Sequence, residues 1–138
     1  MRQARSADVP AMHRVRMSVH ENCLVSRQLS EQDYLVEIEV TGRGWVIESA
    51  STIVAFAVGN AATGSIWALF VEPGHERKGH GRQLHDAMVA WFWEQGHDRL
   101  WLTTGAGTRA AGFYEAAGWR RAGETAEGEL RYELRKSE

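Results

Sequence analysis

The chain has a single cysteine, Cys23, so no internal disulfide framework can brace it, and nothing near that residue except His20 marks it as a nucleophile. Long apolar runs are missing as well. No stretch approaches the roughly 20 residues that cross a bilayer, and the segment MRQARSAD has none of the apolar character of a secretion signal. The expectation is a cytoplasmic protein with no membrane partner. Excess charge of one sign is absent: sixteen Lys and Arg stand against eighteen Asp and Glu, a formal charge of -2, so no overall field draws the chain to nucleic acid. Any anion site must be local. There is no Gly-Lys-Ser/Thr phosphate loop and no Gly-x-Ser-x-Gly elbow. His75, His80 and His85 are evenly spaced, but a five-residue interval does not stack side chains on a helix, and no Cys or carboxylate pair completes a set. No metal is expected.

What is present suits one compact domain over residues 1–138, a size that buries roughly two-thirds of its unfolded surface. Asp8 before Val9-Pro10 reads as a helix start, with Met12, Val15 and Val19 recurring on one face. Ser30-x-x-Asp33 resembles a capping box ahead of Tyr34, Leu35 and Ile38, which predicts a second, short helix. From Gly44 the texture becomes β: Trp45 to Ile47, Ile53 to Val58 and Ile66 to Val71 are separated by short loops and predict an antiparallel meander. Leu84, Ala87, Met88, Trp91 and Phe92 share a helical face that Gly96 ends. Leu100 to Thr104 reads as a strand, and Thr108 caps a helix from Arg109 to Ala117 that Gly118 terminates. Trp119 to Thr125 and Glu129 to Arg135 flank Ala126-Glu-Gly128 as a hairpin, with Leu130, Tyr132 and Leu134 alternating against charged residues. The class is α+β with a mixed sheet.

Chemistry concentrates in VEPGHERKGHGRQLH, residues 71 to 85, where an apolar run ends in a glycine-rich turn that feeds a helix. Such a turn aims backbone N–H groups and the positive helix end at phosphate oxygens. Read alone, Pro73-Gly74 is equally an ordinary turn on a solvated surface. Gly79-x-Gly81 is no dinucleotide fingerprint, because Leu84 stands where its third glycine belongs.

A second segment makes the pattern specific: Thr104-Gly-Ala-Gly-Thr-Arg-Ala-Ala-Gly-Phe-Tyr-Glu-Ala-Ala-Gly-Trp119. Together with Leu69 to Gly81 it resembles the GNAT superfamily of acyl-CoA-dependent N-acyltransferases, whose loop has the form Arg/Gln-x-x-Gly-x-Gly/Ala. Element order agrees along the whole chain, and the motif matches lie within about residues 66 to 119. The resemblance implies a GNAT-like, mostly antiparallel central sheet of about six to seven strands flanked by about four helices. It also implies acetyl-CoA as co-substrate and a primary amine as acceptor, with direct transfer and no covalent enzyme intermediate. The competing reading is a non-catalytic CoA-binding sensor or regulatory module; a third, with less support, is transfer to a hydroxyl.

Carried over by position, the resemblance puts Leu69, Phe70 and Val71 beside pantetheine, bonding through their backbones like one more strand. Arg77, Lys78, Gly79, His80, Gly81 and Arg82 cradle the pyrophosphate. Two positions depart from the pattern: Glu76 replaces the family's Arg or Gln, and Gly107 replaces an Asn that contacts the cofactor in many members. Tyr114 is implied to be the general acid for the departing thiolate, against the plainer reading of a core aromatic beside Phe113. A phenol of pKa about 10 is protonated at neutral pH and suits a thiolate whose acid has pKa near 8.5. The amine must be uncharged, and a lysine-like amine is so only about one part in a thousand at pH 7, a handicap of about 4 to 5 kcal/mol. Where relatives carry a base this chain has Ser65 and Trp67, leaving Glu72 or a chain of waters. The N–H of Phe70 or Val71 is the candidate oxyanion donor. Tyr34, Trp45 and Trp67 either line the acceptor site or pack the core. On the helix through Leu84, 100° per residue puts Trp93 about 180° from Leu84 with Val89 near it, which predicts a homodimer through that face.

Overall fold

The computed structural model describes residues 1–19, 29–105 and 108–136, so Cys23, His20 and Gly107 lie outside the described residues. The order is β1 (Arg2–Gln3), a 3-10 turn (Ser6–Asp8), α1 (Val9–Ser18), α2 (Glu31–Val36) running into a π turn (Glu37–Thr41), β2 (Gly42–Ser49), β3 (Thr52–Asn60), β4 (Ser65–Val71), α3 (His80–Glu94), β5 (Arg99–Thr104), α4 (Arg109–Ala116), β6 (Arg120–Glu124) and β7 (Leu130–Arg135). The local signals explain several boundaries. The buried Asp8 carboxylate accepts the Arg5 N–H at 2.8 Å and a two-point bond from Arg2, fixing the turn from which α1 starts, with Pro10 in its first turn. Asp33 accepts the Ser30 N–H at 2.8 Å and Thr108 Oγ1 accepts the Ala111 N–H at 3.2 Å, so both expected caps are made.

The described strands form one seven-stranded sheet of order β1-β2-β3-β4-β5-β7-β6. Every neighbouring pair is antiparallel except β4 and β5, which are parallel because α3 crosses between them. One face of the sheet packs Met12 and Val15 of α1 and Tyr34 of α2 onto Phe56, Val58 and Ala68. The other packs Leu84, Met88, Trp91 and Phe92 of α3 and Tyr114 of α4 onto Ala55, Ala57, Leu102 and Tyr132. Trp45 packs edge-on to Trp91 and Tyr34 edge-on to Trp67, at centroid distances of 5.5 and 5.0 Å, so Tyr34 and Trp45 are core residues.

Trp93 and Val89 do not stand free on the water side of α3. Both are half-buried and pack against the core on that face. The exposed stripe runs through Arg82, Asp86, Ala90 and Glu94, and an indole is large enough to reach the core from the rim of such a stripe. The homodimer expected through this pair thereby loses its premise.

Candidate active site

Two irregularities in the sheet create the site. Opposite Val58 and Gly59 the β4 partners are Ala68 and Ile66, so Trp67 is an extra, bulged residue that bends the strand and puts its side chain on the same face as that of Ala68. β4 also meets β5 through one residue pair alone, Ser65 opposite Trp101, with the Trp101 N–H bonded to Gly64 O at 3.0 Å. Past that pair the strands part, and β4 has a ladder on its β3 side only.

Which backbone groups face the split follows from the antiparallel ladder, in which a residue turns both its N–H and its C=O to one neighbour and the next residue turns both away. Glu72 donates to Val54 O at 2.8 Å, so Phe70, two residues earlier and opposite Phe56, is turned to β3 as well. Leu69 and Val71 therefore present their N–H and C=O to the open edge. Of the two oxyanion donors considered from sequence, Val71 faces the split and Phe70 does not; Phe70 offers its ring instead.

The split opens into a cavity of about 1020 Å³. Its walls are Val19 after α1, Leu69 to Val71 of β4, Pro73, His75, Glu76, Arg77 and Gly79 of the loop, His80, Gly81 and Arg82 of α3, and Arg109, Ala110, Phe113 and Tyr114 of α4. Among the residues expected from sequence, Lys78 and Glu72 are outside this lining. The loop turns through left-handed backbone at Gly74, Arg77 and Gly79, with φ of 94°, 64° and 81°. For Arg77, which has a Cβ, that conformation is uncommon, and it belongs to a concave backbone that gathers N–H groups. Gly79 sits at the start of α3 with no capping side chain, and the first helical bond there is from Gln83 to Gly79 O. The amides of His80, Gly81 and Arg82 thus have no intrahelical acceptor and border the cavity.

Glu76, the departure from the family pattern, is neutralised in place. Its carboxylate accepts the Gly74 N–H and an Arg109 guanidinium N–H, each at 2.6 Å. Bonds from the loop's own amides and then Arg109 hold its carboxyl below the usual range. Glu72 is paired with Arg14 at 2.6 Å, and Arg14 also donates to Ile53 O at 2.6 Å. The carboxylate is thus engaged by Arg14 and stands outside the cavity lining, so the structure adds nothing to the base role considered for it. Trp67 stacks under the Arg16 guanidinium at 4.9 Å and carries no base chemistry.

Tyr114 lies on the cavity wall and is 5 % exposed; burial pushes its phenol well above the ordinary value, so it stays a proton donor through the physiological range. Phe113 and Trp119 meet its ring edge-on at 5.3 and 5.5 Å. The Trp119 N–H also closes the end of α4 on Tyr114 O at 3.0 Å. Behind these rings is a residue whose role sequence reasoning missed. His85 is buried in α3, and its Nε2 accepts the Trp119 indole N–H at 2.9 Å while Nδ1 lies 2.9 Å from Asp86 Oδ1. An indole can only donate, so Nε2 must be unprotonated and the ring proton sits on Nδ1. Burial, which outweighs the neighbouring Asp86, lowers the His85 pKa and favours that neutral form.

The Acetyltransferase (GNAT) family model matches residues 10–119, and with that the assignment is decided. The chain belongs to the GNAT acetyltransferase family. No curated protein sequence matches it. Among solved structures it is similar to the ribosomal-protein-S18-alanine N-acetyltransferase of Escherichia coli, at 21% identity over 99% of this chain and 92% of that one with a TM-score of 0.79. It is similar as well to Ard1 of Thermoplasma volcanium, at 18% identity over 99% and 97% with a TM-score of 0.80. The PaiA N-acetyltransferase of Thermoplasma acidophilum, whose structure is a complex with coenzyme A, matches at 13% identity over 97% and 96% with a TM-score of 0.78. At such identities the likeness establishes the GNAT fold. The family makes this chain a GNAT-type N-acetyltransferase. Among the described residues, no helix is long and apolar enough to cross a membrane.

Proposed function

We propose that this N-acetyltransferase moves the acetyl group of acetyl-CoA directly to a primary amine, within a single domain over residues 1–138. The observation that carries the reading is the open β4 edge, which lies in the same cavity as the uncapped start of α3 and the Tyr114 phenol. Backbone groups of Leu69 and Val71 suit the amides of a pantetheine arm laid along the split. The amides at 80 to 82, with Arg77 and Arg82 on the rim and Lys78 beside them, suit a pyrophosphate.

The roles follow from where charge moves. As the amine attacks the thioester carbonyl, negative charge grows on its oxygen, and the Val71 N–H, one of the two β4 donors turned into the split, is the one assigned to it; one such donor is worth roughly 3 kcal/mol where tested. The C–S bond breaks and Tyr114 gives its proton to the departing sulfur. The amine must arrive neutral. With Glu72 committed to Arg14, water in the cavity is the proton acceptor in this reading, and Glu72 acts only where that pair opens.

Free-thiol release from acetyl-CoA, followed across polyamines, aryl-amines, amino acids, aminoglycosides and peptides, tests the proposal. Amine-dependent release with at least one class is expected. Binding of acetyl-CoA by calorimetry with no release above background for any class would replace the proposal with a non-catalytic CoA module.

A further inference from the structure

We propose that His85 is a positioning residue for Tyr114, acting through Trp119: the imidazole fixes the indole, and the indole fixes the phenol against the split. This rests on the reading of Tyr114 as general acid. Trp119 is 3 % exposed and bound to its neighbours at both ends, its indole N–H on His85 Nε2 at 2.9 Å and its backbone N–H on Tyr114 O at 3.0 Å. Its ring meets Tyr114 edge-on at 5.5 Å, and Phe113 fills the gap between Tyr114 and His85 with edge contacts to both. His85 is itself held from outside, because Asp86 Oδ1 takes both the His85 Nδ1 bond at 2.9 Å and Arg82 Nε at 3.1 Å. Arg82 lines the cavity where the pyrophosphate is proposed to sit. A run of directed contacts thus joins the phosphate end of the cavity to the phenol.

An apolar side chain at position 85 would complete this core on burial grounds alone. Histidine there provides what packing does not: an acceptor at one defined point, which permits one indole orientation and no other. A phenol free to tilt would satisfy the hydrophobic core equally well and transfer its proton less often, since proton transfer needs heavy atoms at hydrogen-bond distance and in line.

The test measures kcat and the acetyl-CoA KM for His85→Leu, His85→Gln, Trp119→Phe, Tyr114→Phe and the His85→Leu/Tyr114→Phe double variant. His85→Leu and Trp119→Phe each break the same bond from opposite sides and are expected to lower kcat by about tenfold, the scale of one buried hydrogen bond, with KM little changed. His85→Gln, whose amide oxygen can accept the indole N–H, should recover most of kcat. In the Tyr114→Phe background, His85→Leu should cost nothing further. Wild-type kcat in Trp119→Phe overturns the inference, and this variant decides the matter if His85→Leu fails to fold. An equal loss from His85→Leu with and without the Tyr114 hydroxyl overturns it while leaving the general-acid role standing. Wild-type kcat in Tyr114→Phe alone overturns that role, and the inference with it.

Discussion

On the wall of the split formed by β4 and the loop after it, the useful groups belong to the backbone: the outward-turned amides of Leu69 and Val71 and the uncapped amides at the head of α3. On the wall formed by α4 they belong to side chains: the Tyr114 phenol and the Phe113 ring beside it, with the Trp119 ring packed against Tyr114 from outside the lining. Backbone groups are set by dihedral angles, so the first wall depends on where glycine stands and tolerates many side chains. Side-chain groups are set by packing, so the second depends on the identity of each residue and of the residues behind it. The same division separates holding from reacting, and substitutions on the two walls should fail in different ways.

The largest expected effect is on the reacting wall. Tyr114→Phe keeps the ring contacts and removes the proton, so kcat should fall on the order of a hundredfold, within the range for general acids, while CoA affinity by calorimetry stays near wild type. A loss of affinity instead of turnover would mean that Tyr114 helps to hold the ligand, and the division would break there.

The same contrast explains what the sequence reveals. The glycine-rich loop, the Thr108 cap, the Asp8-Val9-Pro10 start and the alternation of Leu130, Tyr132 and Leu134 are local patterns, and each produced the element it predicts. What escaped local reading was set by contacts between distant segments. His85 meets Trp119 across 34 residues, Arg109 meets Glu76 across 33 and Arg14 meets Glu72 across 58, so no short window of sequence contains any of the three pairs. β1 is two residues long, too short for any period to show. The Trp67 bulge is a mismatch of register against β3, and the split is a divergence from β5; both are properties of pairs of strands. Trp93 was misplaced because angle around a helix does not say how far a long side chain reaches.

A smaller effect is expected on the holding wall. Gly79 has φ of 81° and open space where a Cβ would go, so Gly79→Ala brings backbone strain without a clash. That strain is about 1 kcal/mol, and if it falls on the shape of the loop the acetyl-CoA Kd should rise roughly fivefold, with kcat at saturation unchanged. Titration calorimetry and saturation kinetics on one preparation read both numbers. A drop in saturated kcat with Kd intact would show that the loop also sets the geometry of reaction, and the two walls would not be separable.

The smallest expected effect lies where the walls touch, at the Glu76–Arg109 pair that ties the loop to the first residue of α4. Glu76 combines two influences of opposite sign: its charge opposes phosphates nearby, while its bond to the Gly74 N–H shapes the turn. Glu76→Gln removes the charge and keeps an oxygen to accept that N–H. With that negative charge gone from beside the phosphates, CoA should bind a few-fold more tightly at low ionic strength. The gain should vanish at high salt, because exposed charges are screened within a few ångströms there. Calorimetry at the two salt concentrations separates the influences. Weaker binding at both would show that Glu76 serves the loop through shape, which would place a side chain among the determinants of a wall otherwise built from backbone.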